Sequence, residues 1–80
     1  MLYYIYGLYL HKKEDYELAR DAYGDALKLG LDSAELHYNM GLLFVDMKDY
    51  ESARTHARTA YSMGAPFPGL QNKLKNAGEW

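Results

Sequence analysis

The chain contains no cysteine. That absence removes a disulfide framework, thiol catalysis and a cysteine zinc site together, and it leaves the redox compartment open. Proline occurs only at Pro66 and Pro68, where it blocks continuation of a preceding helix. Charge is scarce in net terms, −2 from nine basic and eleven acidic residues, which disfavours a dedicated nucleic-acid binder. Glycine-rich phosphate cradles and hydrolase elbows are missing. The longest apolar run, MLYYIYGLYL at residues 1–10, is well short of the roughly 20 residues that span a membrane. It also lacks the basic flank and trailing small residues of a signal peptide. It passes into His11, Lys12, Lys13, Glu14 and Asp15, a solvated turn, and so reads as a buried helix.

What is present is one small folded domain. Of 80 residues, 49% are hydrophobic, 25% charged and 15% aromatic, more apolar surface than a disordered chain carries. Two domains do not fit, and at this size folding hides only about 60% of the extended chain's surface, so stability calls for a staple or a partner.

An internal repeat supplies the organisation. A shift of 34 residues pairs Leu2 with Leu36, Tyr4 with Tyr38, Gly7 with Gly41, Leu8 with Leu42, and Asp15-Tyr16-Glu17 with Asp49-Tyr50-Glu51. It continues through Ala19/Ala53, Arg20/Arg54, Ala26/Ala60 and Gly30/Gly64, giving 11 identities between residues 1–30 and 35–64, where chance gives about two. Each copy has helical period with punctuation. A helix over 1–12 is followed by Asp15 as N-cap, a helix over 16–29 and Gly30 as its stop. Ser33 then caps a helix over about 34–47, and Asp49 caps one over about 50–63 that Gly64 ends. Gly7 and Gly41 inside helices cost about 0.5–1 kcal/mol each relative to alanine, which requires a close approach of another backbone. Ala19, Ala26, Ala53 and Ala60 give a smooth stripe, with Tyr6, Leu10, Tyr23, Met40 and Phe44 expected to fill the holes. Pro66 to Trp80 reads as a cap, with a short helix over 70–77 burying Leu70 and Leu74, Gly78 ending it, and Phe67 and Trp80 as clasps.

This 34-residue helix-turn-helix unit, with Gly7, Ala19, Ala26 and Gly41, Ala53, Ala60 in place, resembles the tetratricopeptide repeat family. The aromatic and large positions are filled by Tyr3 and His37, Tyr6 and Met40, Leu10 and Phe44, and Tyr23 and Ala57. The closing proline is imperfect, because Leu31 and Ala65 stand there and Pro66 comes one residue late. The resemblance implies an all-α fold of antiparallel helix pairs stacked as a short right-handed α-solenoid. Two repeats, about 1–32 and 33–66, would be followed by a capping helix and tail over 67–80.

Function follows from the same resemblance. It implies a non-enzymatic scaffold, with no catalytic residues, metal or cofactor, that holds an apolar or amphipathic peptide in a concave groove. The groove positions are Tyr4, Leu8, His11 and Lys12 in the first copy and Glu35, Tyr38, Asn39, Leu42, Val45 and Asp46 in the second. Asn72, Lys73 and Asn76 add to it from the cap. The two-carboxylate clamp of some members is incomplete, since Tyr4 and Leu8 replace its lysine and asparagine and only Asn39 and Lys73 correspond. A chaperone C-terminus is therefore not the expected ligand. His11, His37 and His56 lack metal-ligand spacing and suit structural roles.

The alternative reading is self-association, or packing on upstream repeats, through an apolar first helix whose outer face carries Leu2, Ile5 and Tyr9. The expected partners are thus a protein or peptide and, in that alternative, a second copy, with no nucleic acid and no membrane insertion. A cytoplasmic location is expected, with a periplasmic chain or a membrane-anchored parent left open. Met1 is either a natural start or a cut in a longer array. Residues 14–51 hold ten acids, whereas 52–78 hold none, so opposite ends of two molecules would attract, weakly once salt screens them.

Overall fold

The apolar spacings above produce five helices in the computed structural model, which describes residues 2–80. They are α1 (Leu2–Lys12), α2 (Tyr16–Lys28), α3 (Ala34–Asp46), α4 (Tyr50–Ser62) and α5 (Gly69–Asn76), with no strand among the described residues. Met1, expected in the first helix, lies outside that range. Helix α1 packs on α2 and α3 on α4 as hairpins, α2 packs on α3, and α5 lies against both α3 and α4.

All five helices end the same way. A residue in the left-handed conformation follows the last turn, and the next N–H closes back on a carbonyl five residues earlier, as in Asp15 to Leu10 (2.9 Å) and Asp49 to Phe44 (2.9 Å). Glycine fills that place at Gly30, Gly64 and Gly78, but Glu14 and Lys48 fill it with φ of 66° and 61°. At the helix starts, Ser33 Oγ accepts the Leu36 N–H at 3.1 Å and Asp49 accepts the Ser52 N–H at 3.3 Å. Asp15 differs from expectation, because its carboxylate accepts no capping bond. What it contributes to α2 is negative charge beside the free N–H groups.

The core follows the small-residue stripe. Ala19, Ala22, Ala26, Ala53, Ala57 and Ala60 are buried and let helices approach, and Leu10, Tyr23, Leu36, Met40, Leu43 and Phe44 fill the space. Tyr6 does not join them. It is exposed, because the hole it would fill lies between α1 and a helix that would precede it, whereas its counterpart Met40 has α2 to pack on. A Cβ at Gly7 would stand 2.5 Å from the Tyr23 ring, and one at Gly41 would collide with the Leu70 side chain. Leu70 and Leu74 of α5 are fully buried, about 1.5–3 kcal/mol of burial each.

Tyrosines fasten the cap. Tyr61 donates its hydroxyl to the Phe67 carbonyl at 2.7 Å and accepts the Gln71 N–H at 3.0 Å. It thereby supplies the N-terminal cap that Pro68 cannot, since Pro68 makes no side-chain capping bond. Trp80 meets Tyr61 edge-on at 6.1 Å, and Arg54 Nη1 donates to the carbonyl and the carboxylate of Glu79, both at 2.9 Å.

Two outcomes follow for stability. The Tyr23 hydroxyl is buried without a hydrogen-bond partner among the described residues, and burial pushes its phenol above the ordinary range. Tyr23→Phe should therefore leave the ring on Gly7 and raise stability by about 1 kcal/mol in urea unfolding. A loss of stability would show that the hydroxyl is satisfied. Tyr61→Phe should cost about 1 kcal/mol and increase hydrogen exchange in α5 before α1 or α2.

Candidate peptide-binding face

Helices α1 and α3 lie side by side, and their facing side chains tie one copy to the next. Asn39 Nδ2 donates to the Tyr4 hydroxyl at 2.8 Å and to the Glu35 carbonyl at 2.9 Å. Burial and the nearby Glu35 carboxylate push the Tyr4 phenol above its ordinary value, so it stays neutral. His11 Nε2–H donates to Asp46 at 2.6 Å. Both ties span 35 residues, one more than the repeat, so together they set the register between copies.

The remaining groove positions divide into apolar and polar sets. Leu8 is exposed, and Leu42 and Val45 are half-buried, which makes an apolar strip along the face. Tyr38 is half-buried and turned to the cap, 5.2 Å from the Phe67 ring, 6.5 Å from Tyr61, and close enough to Gly69 that a Cβ there would meet its hydroxyl at 2.7 Å. Lys12, Glu35, Asp46, Asn72, Lys73 and Asn76 are exposed. Leu2, Ile5 and Tyr9 are exposed on a different side of α1 from Tyr4, Leu8 and His11. A recess of about 430 Å³ lies not on this face but at the start of α2, lined by Glu14, Asp15, Tyr16, Glu17, Leu18 and Met47.

Sequence spacing gave no sign of a histidine pair. His37 Nδ1 and His56 Nδ1 lie 3.0 Å apart, and His37 Nε2–H donates to Asp32 at 2.6 Å. The ring centroids are 5.2 Å apart at 22°, close to the nitrogen gap plus two ring radii, so the rings meet edge to edge and one nitrogen donates to the other. Among the described residues no three His, Asp or Glu are grouped to hold a metal ion. The pair is a strut between α3 and α4, with the Phe44 ring nearly parallel to His56 at 5.5 Å and 11°.

The model of the tetratricopeptide repeat family matches residues 2–29 and 34–63. The chain therefore belongs to the tetratricopeptide repeat family, a non-enzymatic fold whose repeats generally mediate protein–protein interaction. The five helices agree with two such repeats and a capping helix. No curated protein and no solved structure matches the chain. No helix among the described residues is long and apolar enough to cross a membrane.

The histidine pair gives stability a pH dependence. Burial, and then the neighbouring His37, lower the pKa of His56, so the unfolded chain takes up a proton at this residue more readily than the folded one. This contribution is complete above the ordinary histidine pKa of about 6.5 and is lost as pH falls through it toward the lower folded value. Urea midpoints should be lower at about pH 5.5 than at about pH 7.5, and His56→Gln should flatten that difference. Equal slopes in the two proteins would exclude His56 as the source.

Proposed function

We propose that the domain is an adaptor that holds an apolar or amphipathic peptide segment of a protein partner on the α1–α3 face, with α5 as a third stave. The observation that carries this reading is the division of that face. Its central polar groups already pair with one another, Asn39 with Tyr4 and His11 with Asp46, and they hold the backbone in place before a ligand arrives. Leu8, Leu42 and Val45 remain as the strip whose burial a ligand would gain, about 25 cal/mol per Å² of apolar surface. Lys12, Glu35 and Lys73 stand at the edges as exposed charges of both signs. That pattern of apolar centre and polar rim suits a peptide more than a small molecule.

Tyr38 is a poor probe of this reading, because its loss would also loosen the cap. Leu8 and Leu42 are better ones. Selection from a displayed random-peptide library should enrich apolar or amphipathic sequences. Leu8→Asp and Leu42→Ala should each weaken the selected peptides about tenfold or more, about 1.4 kcal/mol. Leu8→Asp should leave the melting temperature nearly unchanged. Selected peptides that bind both variants as tightly as the parent would overturn the assignment of this face.

A further inference from the structure

The repeat itself shows which surface is uncovered. Leu36, Met40 and Leu43 of α3 are 0%, 5% and 0% exposed, in the helix that packs on α2. Thirty-four residues earlier the same positions are Leu2, Tyr6 and Tyr9, and they are 76%, 50% and 55% exposed. With Ile5 they stand at i, i+3, i+4 and i+7 on one face of α1. This face therefore has the chemistry of the α3 stacking surface and nothing packed on it. Tyr3 and Leu29 continue it, and both are exposed. Together these side chains offer several hundred Å² of apolar surface, at the limit of what a monomer shows and near the ~800 Å² per partner of a stable complex.

We propose that a second copy of this chain covers the face, with the two α1 helices antiparallel about a twofold axis. The other end of the solenoid is closed to head-to-tail stacking, because α5 lies on α3 and α4 with Leu70 and Leu74 fully buried. Two open ends can meet only face to face, and that gives a closed, isologous pair rather than a filament. Charge selects the antiparallel arrangement. Helix α1 has no acidic residue and runs into Lys12 and Lys13, whereas its start shares a recess of about 250 Å³ with Asp25, Lys28 and Leu29 at the end of α2. Antiparallel pairing brings Lys13 of each copy toward Asp25, beside Lys28, of the other, and parallel pairing would put the two Lys13 ammonium groups together. The inference uses the side of α1 away from the peptide face, so either can fail without the other.

Sedimentation equilibrium of the whole chain across a concentration series tests it. The parent should dimerise with a dissociation constant of about 1–100 µM. Ile5→Glu and Tyr6→Glu should remain helical and weaken dimerisation at least tenfold, while Leu8→Asp on the peptide face should not. Because the chain has no cysteine, Tyr6→Cys, near the middle of the patch, should form a disulfide-linked dimer under mild oxidation without other thiols interfering. Lys13→Asp should weaken the pair, and adding Asp25→Lys should restore it. A folded monomer throughout the series would overturn the proposal, including the outcome in which a helix of another protein covers the face. So would dimerisation that survives both glutamate variants, or a Tyr6→Cys dimer that forms no disulfide.

Discussion

The close approach at Gly7 and Gly41 is the constraint on which the other features depend. Glycine inside a helix costs about 0.5–1 kcal/mol, and here that cost is offset by a large side chain seated directly on the helix backbone. The two copies meet the requirement differently. Over Gly7 sits Tyr23, from the partner helix of the same hairpin, whereas the corresponding residue of α4 is Ala57, too small to reach. Leu70 of α5 takes the place over Gly41 instead. The second copy is thus completed only by the cap, so α5 is part of the core through Leu70 and Leu74. This accounts for the effort spent in holding so short a helix, by the Tyr61 hydroxyl, the Tyr38–Phe67 contact and the Arg54–Glu79 pair.

The same requirement distributes work among side chains that otherwise look alike. Tyr4 and Tyr38 are equivalent in the repeat, yet Tyr4 bonds to the next copy through Asn39 and Tyr38 packs on the cap. Each is engaged because something follows it in the stack. What is left over on the proposed peptide face is a narrower apolar set, Leu8, Leu42 and Val45.

Much of this was readable from residue order. All five helices, their alanine stripe and the glycine stops lie where period and punctuation put them, because these are local properties of one helix and its ends. The misses concern neighbours. Tyr6 has the spacing of a core residue, but spacing identifies a shared face and not whether anything covers it. The His37–His56 contact depends on how two helices face each other, and the Tyr61 cap on an N–H of α5 and a carbonyl in the loop before it, whose path Pro66 and Pro68 only bound. Glu14 and Lys48 are ordinary residues held left-handed by the closing bonds of Asp15 and Asp49, a conformation that neither residue type advertises.

The tyrosine distribution has a physical reading in these terms. Six of nine fall within the first 23 residues, and α1 carries four of them on a helix that would serve two surfaces at once in the proposed pair. A phenol ring suits such a position, because it offers apolar area to a partner and a hydroxyl to water when the partner is absent. Leucine at every one of these places would be less soluble alone, and lysine would not pair. A twofold pair built on α1 would also set two peptide faces in one particle. A ligand with two suitable segments would then gain the about 10²–10⁴-fold advantage of an intramolecular second contact, provided its linker spans the axis. Short arrays with modest single-site affinity gain most from that arrangement, since two copies of a small groove replace the long one that additional repeats would build.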